Sequence, residues 1–196
     1  MLVNMSEDDF NAVMNVHLKG HFCPTRHAVG YWREKVKASG EPVKAALVFT
    51  SSAAGLYGNV GQFNYAAAKS GIATMARVAG AELKRYGVVA NAIAPAARTR
   101  MTESLFADTM APPDAGQFDA MDPANIAPLV VWLGSNENTD VTCETFEVSG
   151  GKVSVAENWR PGPEQDKGDR WDPAELGPVI RELVGKSERI GVIGAR

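Results

Sequence analysis

The chain has 196 residues, a formal net charge of −3 at pH 7, 45% hydrophobic residues and 22% charged residues. This length supports one domain with a sizeable core, and the weakly acidic balance favours neither nucleic acid nor an anionic membrane surface as a partner. No apolar run is long enough to span a membrane, and Met1–Met5 lacks the basic flank and apolar core of a signal peptide. We therefore expect a cytoplasmic globular protein. Cys23 and Cys143 lie far apart in the sequence, which favours reduced thiols over a disulfide or a metal site.

A long helix is predicted over residues 6–35 from the helical spacing of its apolar residues. Ser6 and Asp9 have the spacing of a capping box, with Asp in place of the usual Glu. Pro24 lies inside the pattern and is expected to kink the helix or divide it. The polar residues 35–42, which include Gly and Pro, predict a surface loop.

A buried strand over Ala45–Thr50 leads into the part of the chain that carries the chemistry. Ser51 and Ser52 stand at the carboxyl end of this strand, and a Gly-rich loop follows them. The next helix is predicted from about Asn64 to Arg85, and it carries Tyr65 and Lys69 four residues apart on one face. A hydroxyl, a phenol and an ammonium therefore converge at the edge where open α/β sheets bind ligands.

These three residue types together are suited to proton transfer. A free tyrosine has a pKa of about 10 and is a poor base near neutral pH. A neighbouring ammonium stabilises the phenolate, so a tuned phenol exchanges a proton with an alcohol or carbonyl oxygen, and a serine hydroxyl can hold the same oxygen. Hydride transfer, the other half of a ketone–alcohol interconversion, requires a nicotinamide cofactor.

The second half of the chain predicts further α/β elements. Val88–Ala94 is a second buried strand, preceded by the helix-ending Gly87 and closed by Pro95. Asp122 and Pro123 begin a helix, and the alternating run Thr142–Val148 predicts a last strand. The boundary is placed at Gly151, so residues 1–151 form the main domain and residues 152–196 form a tail with a short helix from about Pro173 to Gly185.

The combination of motifs resembles the short-chain dehydrogenases/reductases over roughly residues 5–151. Ser52 lies thirteen positions before the Tyr65-x-x-x-Lys69 motif, and Asn91-Ala-Ile-Ala-Pro95 follows downstream. The resemblance implies an NAD(P)-dependent oxidoreductase that interconverts a secondary alcohol and a ketone, with NAD or NADP as cofactor. The alternative is an amphipathic helix that carries Tyr and Lys by chance.

The resemblance also implies a set of site residues. Ser52, Tyr65 and Lys69 take the catalytic positions, and Tyr65, Lys69 and Pro95 are expected to meet the cofactor as well. Ile93 and Thr99 are placed near the nicotinamide carboxamide. The family usually has Pro-Gly after the second strand, where this chain has Pro95 followed by Ala, so the local loop is expected to differ.

His17 is the fourth candidate catalytic residue. It stands where the family usually has Asn, in the pattern His17-Leu-Lys-Gly-His-Phe22. This pattern, with Leu56-Tyr-Gly-Asn-Val-Gly-Gln62, is similar to that of the (3R)-hydroxyacyl-CoA dehydrogenase domains of peroxisomal multifunctional enzymes and their bacterial relatives. An imidazole can hold a relay water through one ring nitrogen; the alternative is a buried histidine bonded to a backbone carbonyl. His21 and His27 are interpreted as spectators on the helix.

The resemblance suggests a substrate class and an assembly. Residues 98–121 correspond to the family's substrate-binding segment, where Arg98 and Arg100 either meet acyl-CoA phosphates or lie solvated at the surface. The substrate is expected to be a small molecule or an acyl thioester. The small residues of the Tyr65 helix, with the preceding long helix, are typical of a homodimer or homotetramer interface.

The family's early motifs are absent from this chain. No Gly-x-x-x-Gly-x-Gly cradle, no acidic or basic cofactor-selecting residue and no Asn-Ala-Gly motif precedes the first strand. We therefore expect an incomplete Rossmann-like doubly wound parallel sheet that holds only the last three of seven strands, without the N-terminal half. Such a chain alone is expected to bind dinucleotides poorly and to leave the 45–50 strand with an open edge. The second function hypothesis is a non-catalytic remnant that acts, if at all, by association with a full-length relative.

Overall fold

A computed structural model describes residues 1–99, 111–114, 116–157, 159–188 and 191–195. The chain forms two compact units, one of Met1–Glu157 with Val192–Arg196 and one of Asn158–Gly191. Arg100 and much of the predicted substrate-binding segment lie outside the described residues.

The N-terminal helical region is not the single regular helix that was predicted, because it contains a π-helical segment. After a 3-10 turn at Leu2–Asn4, it comprises helix α1 (Glu7–Met14), a π-helical segment (Asn15–Lys19) and helix α2 (Gly20–Ser39). The predicted capping box is confirmed, because the Ser6 hydroxyl accepts from the Asp9 amide and the Asp9 carboxylate accepts from the Ser6 amide, both at 3.1 Å.

The helix is not divided at Pro24, which lies inside α2. The irregular part of this region is instead the π segment that precedes α2. The predicted loop over residues 35–42 was wrong in its first half. The helix continues to Ser39 and ends at Gly40, which adopts the left-handed conformation with φ 73° that favours glycine.

A sheet in the order β1-β2-β3-β4 lies at the centre of the larger unit. Its strands are β1 (Ala45–Thr50), β2 (Val88–Pro95), β3 (Thr145–Ser149) and β4 (Lys152–Val155). The first three are parallel, with Thr50 opposite Ile93 and Pro95 opposite Val148. The three predicted strands are confirmed. Strand β4, antiparallel to β3, was not predicted and extends the sheet past the boundary placed at Gly151.

Helices cover both faces of this sheet, which confirms the expected α/β Rossmann-like fold class. Helix α4 (Phe63–Leu83), followed by a 3-10 turn at Lys84–Tyr86, packs its Ile72 and Ala76 against Phe49 on one face. Helix α5 (Ala127–Gly134) continues a 3-10 turn at Pro123–Ile126 and packs its buried Leu133 against Ile93 and Val148 on the other face.

The predicted loop after Ser52 contains a short helix, α3 (Ala53–Tyr57). Ser52 caps it, because its hydroxyl accepts from the Ala54 amide at 3.2 Å. The loop beyond α3 pairs with the end of the chain, where the Val60 amide donates to the carbonyl of Ile193 at 3.0 Å and the Ile193 amide donates to Gly58 at 3.2 Å.

The smaller unit contains helix α6 (Pro173–Lys186), which confirms the predicted tail helix. Its first turn is closed by a capping box between Asp172 and Glu175. Among the helices of the described ranges, none combines the length and the apolar character that crossing a membrane requires.

Candidate active site

The candidate site lies at the carboxyl ends of β1 and β2, as expected for an open α/β sheet. Ser52 lies two residues after the end of β1 and is half-buried, with its hydroxyl oxygen facing the first turn of α3. The α4 helix begins eleven residues later and brings Tyr65 and Lys69 back to the same end of the sheet.

Close packing of α3 on α4 fixes the serine relative to the lysine. A Cβ added at Gly55 would lie 2.6 Å from the carbonyl carbon of Lys69 and 2.6 Å from the amide of Ser70, so only glycine permits this approach. The buried Ser51 hydroxyl donates to the Lys69 carbonyl at 2.8 Å. The strand end, the short helix and α4 therefore form one rigid junction around the site.

Lys69 is a buried cation beneath the Tyr65 ring. Lys69 is only 5% exposed, and its Nζ donates a hydrogen bond to the backbone carbonyl of Thr50 at 2.8 Å. The same Nζ lies 5.5 Å from the centroid of the Tyr65 ring, within reach of a favourable cation–π contact. Burial lowers the pKa of Lys69 from its ordinary value, because a low dielectric disfavours the charged form.

His17 completes a cluster of three side chains. Its ring meets the Tyr65 ring edge-to-face, with centroids 5.1 Å apart and an interplanar angle of 87°. The pKa of His17 is lowered, first by burial and then by the positive charge of Lys69. His17 is therefore disposed to be neutral, the form in which one ring nitrogen donates and the other accepts.

The structure brings His17, Tyr65 and Lys69 together, and it places Ser52 at the same strand end. The predicted cofactor residues lie further along β2. The side chain of Ile93 is buried in the core, and its carbonyl accepts from the Ser51 amide at 2.7 Å. Pro95 ends β2 and is half-buried, and Thr99 is exposed beyond it. The contacts of Ile93, Pro95 and Thr99 with a cofactor stay predictions.

Arg98 is not the solvated surface residue that one of its two predicted surroundings required, and its contact with acyl-CoA phosphates stays a prediction. Its guanidinium forms an ion pair with the Asp119 carboxylate, and its side chain is only 17% exposed. The hydrogen bond from Arg98 is the largest cause of the lowered pKa of Asp119. Arg98 thus links the two ends of the predicted substrate-binding segment, and the Asp119 carboxylate compensates its charge.

Sequence reasoning missed two interactions at the site. Tyr57, at the end of α3, donates its phenolic hydrogen to the Glu147 carboxylate of β3 at 2.6 Å. Burial, with this hydrogen bond as the next cause, raises the pKa of Tyr57 to about 12. The second is His21, interpreted as a spectator, whose ring nitrogens lie 2.7 Å from the His17 carbonyl and 3.3 Å from the Thr50 amide. Its position four residues after His17 was the only signal.

The comparison with protein families agrees with the fold. The model of the short chain dehydrogenase family matches residues 1–110. The chain belongs to this family, and the resemblance inferred from the motifs is confirmed.

Individual relatives are of the same kind. The chain is 45% identical over 190 residues to the hydroxyacyl-CoA dehydrogenase ChsB1 of Mycobacterium tuberculosis, with 93% of this chain and 58% of the relative covered. It is 35% identical over 178 residues to the peroxisomal multifunctional enzyme type 2 of Mus musculus, with 91% and 20% covered.

A crystal structure of a short chain dehydrogenase from Mycobacterium avium superposes with a TM-score of 0.87 at 55% identity, covering 100% of this chain and 63% of that one. The chain thus spans less than two thirds of these relatives.

Proposed function

We propose that this chain carries the catalytic half of an NAD(P)-dependent oxidoreductase that interconverts a secondary alcohol and a ketone. The observation that supports this function is the arrangement of Tyr65, with the His17 ring on one side and the Lys69 ammonium beneath it. A phenol between a neutral imidazole and a buried cation has the partners that proton exchange requires.

Each of the four side chains has a separate role in this proposal. The Tyr65 hydroxyl exchanges a proton with the substrate oxygen, and the Ser52 hydroxyl donates a hydrogen bond to the same oxygen. The Lys69 ammonium stabilises negative charge on the phenol, and its bond to the Thr50 carbonyl holds it in place. His17 takes the position of the family's usual Asn and relays the proton toward solvent through water.

The donor set also fits one end of a nicotinamide cofactor. A lysine and a phenol at the carboxyl ends of parallel strands suit a ribose and a nicotinamide ring, with Pro95, Ile93 and Thr99 proposed alongside. A bound cofactor would accept the hydride when the alcohol is oxidised and supply it when the ketone is reduced. The residues of this chain include no Gly-x-x-x-Gly-x-Gly motif for a pyrophosphate. They therefore do not specify NAD or NADP.

A 3-hydroxyacyl thioester is the proposed substrate. The pattern around His17 and the loop Leu56–Gln62 support this choice, as does the similarity to proteins named hydroxyacyl-CoA dehydrogenase and peroxisomal multifunctional enzyme. An acyl-CoA is larger than the site residues can enclose, so further contacts outside this cluster are part of the proposal.

We also propose that the protein is a homodimer or homotetramer. Large apolar side chains lie exposed along the outer faces of α2 and α4, among them Phe22 at 53%, Tyr31 at 60% and Val78 at 50%. Exposed apolar residues on neighbouring elements are typical of an interface, and a second copy of this surface is the proposed occupant. Sedimentation of the wild type and of Phe22→Lys tests it, since the variant is expected to dissociate.

The function is tested by turnover of a (3R)-3-hydroxyacyl-CoA with each dinucleotide. Two proteins are assayed: residues 1–196, and the same residues fused behind the preceding segment of the M. tuberculosis relative. Reduction of a dinucleotide by the fusion, and only by the fusion, is expected. If neither protein reduces NAD or NADP, the alternative of a non-catalytic remnant is favoured.

A further inference from the structure

The two backbone polar groups of Thr50 lie on the open side of β1. The next residue, Ser51, donates its amide to Ile93 of β2. Because successive residues of a strand point their polar groups to opposite sides, those of Thr50 point away from β2. Among the described residues β1 pairs with β2 alone, so this edge is where unpaired groups are expected.

Side chains satisfy both groups at Thr50. The carbonyl accepts from Nζ of Lys69 at 2.8 Å, and the amide donates to Nε2 of His21 at 3.3 Å. One peptide position therefore connects His21 to the proposed catalytic lysine.

The other nitrogen of His21 reaches the second half of the site. Its Nδ1 lies 2.7 Å from the backbone carbonyl of His17. His17 belongs to the π segment, and its ring meets Tyr65. The His21 ring is stacked on Phe49 with centroids 6.1 Å apart and an interplanar angle of 19°. The imidazole is thus held on its face as well as at both nitrogens.

These two hydrogen bonds determine the form of the ring. A carbonyl only accepts, so Nδ1 must carry the hydrogen. A backbone amide only donates, so Nε2 must be free to accept. A proton on Nε2 would oppose the Thr50 amide and add a charge to a cluster that already contains His17 and Lys69, the titratable groups on the adjacent π segment and on α4.

We propose that His21 is a positioning residue of the site. As the neutral Nδ1–H tautomer, it joins the His17 carbonyl to the Thr50 amide and so holds the backbone that carries the His17 ring and the carbonyl that anchors Lys69. It contacts neither substrate nor cofactor. Its effect on catalysis rests on the proposed function, whereas its hydrogen bonds exist with or without turnover.

The tautomer is measured directly by nitrogen-15 NMR of the imidazoles in the unaltered chain at about pH 8, above the range in which histidines ordinarily titrate. His21 is expected to carry its hydrogen on Nδ1. A hydrogen on Nε2 would overturn the proposal, since the Thr50 amide would then have lost its acceptor.

Four variants separate the two contacts. His21→Gln places a polar atom near the Nε2 position, His21→Asn places one near Nδ1, and His21→Phe retains the ring shape with neither. Exchange of the Thr50 amide hydrogen with solvent is expected to accelerate about fivefold or more in the Asn and Phe variants and to stay slow in the Gln variant. The control is His27→Phe, on the same helix at an exposed position, which should leave the exchange unchanged.

The fusion protein described above gives the catalytic readout. His21→Phe is expected to lower kcat about tenfold or more with little change in the KM of the thioester, and His21→Asn or His21→Gln should recover part of it. Unchanged kcat in all three variants would overturn the positioning role. If the unaltered fusion has no turnover while the tautomer and exchange results hold, the proposed function fails and the His21 contacts stand.

Discussion

Nζ of Lys69 donates a hydrogen bond to the backbone carbonyl of Thr50, 2.8 Å away, across the junction of α4 and β1. This bond fixes the ammonium at the strand end, on the side of the sheet where Tyr65 and His17 meet. The lysine is therefore held in position by the fold before any ligand is present.

Replacing Lys69 by methionine separates its chemical role from its structural one. The variant loses a hydrogen bond from a charged donor but no longer buries a cation, and these two effects largely offset one another. We expect the free energy of unfolding to change by less than about 2 kcal/mol, measured by urea denaturation. The turnover of the fusion protein should fall by at least about a hundredfold. A severe loss of stability would instead identify Lys69 as a structural residue.

The lowered pKa of His17 is directly measurable by NMR titration. It is expected below the ordinary value of 6.5, and it should rise in Lys69→Met because one nearby positive charge is removed. Below 6.5 the unfolded chain binds a proton that the folded chain does not, so stability should fall as the pH decreases from 6.5 toward the folded pKa. A His17 pKa above 6.5 would contradict the burial of this ring.

His17 variants test its proposed relay. In the fusion protein, His17→Asn restores the family's usual residue and should retain substantial turnover, whereas His17→Leu should lose it. Equal turnover in the wild type and both variants would leave His17 as a core histidine.

Tyr57 should ionise late in an alkaline titration. Its pKa is raised to about 12, so its contribution to the phenolate absorbance should appear well above pH 10 and be absent in Tyr57→Phe. Between about 10 and 12 the folded chain retains a proton that the unfolded chain has lost, so stability falls as the pH rises through this window. An unchanged late absorbance in the variant would contradict the Glu147 contact.

Substituting Gly55 by alanine tests the close approach of α3 and α4. The added methyl group would meet the Lys69 and Ser70 backbone at 2.6 Å, so we expect a loss of about 1–3 kcal/mol in stability. Gly134→Ala is the control, because a Cβ there meets nothing within 4 Å. Equal stabilities of the two variants would mean that the helices can separate without loss.

Much of the sheet was predictable from the sequence, because β1 and β2 are apolar runs bounded by turn residues. Strand β4 was not, since its Val153 and Val155 are exposed and its place depends on pairing with β3. The five residues of α3 are too few to show a helical period. The π segment was not predicted either, because this change in helical hydrogen bonding leaves no signature in residue type.

The site was predictable where its residues are close in sequence. Tyr65 and Lys69 share a helix face, and the spacing back to Ser52 was informative. The role of His21 depends on the distance between α2 and the end of β1, and the partner of its Nε2 is 29 residues away in sequence. Such a contact becomes visible only when the helix is packed on the strand.

The most direct test of the account is the turnover of Tyr65→Phe in the fusion protein with a (3R)-3-hydroxyacyl-CoA. Removal of one hydroxyl leaves the ring contacts with His17 and Lys69 in place, so binding of the dinucleotide should be retained. The account predicts that kcat falls by about 10² to 10⁴, the usual contribution of a general acid–base group. A variant that turns over within about tenfold of the unaltered protein would contradict the role of Tyr65 and with it the proposed function.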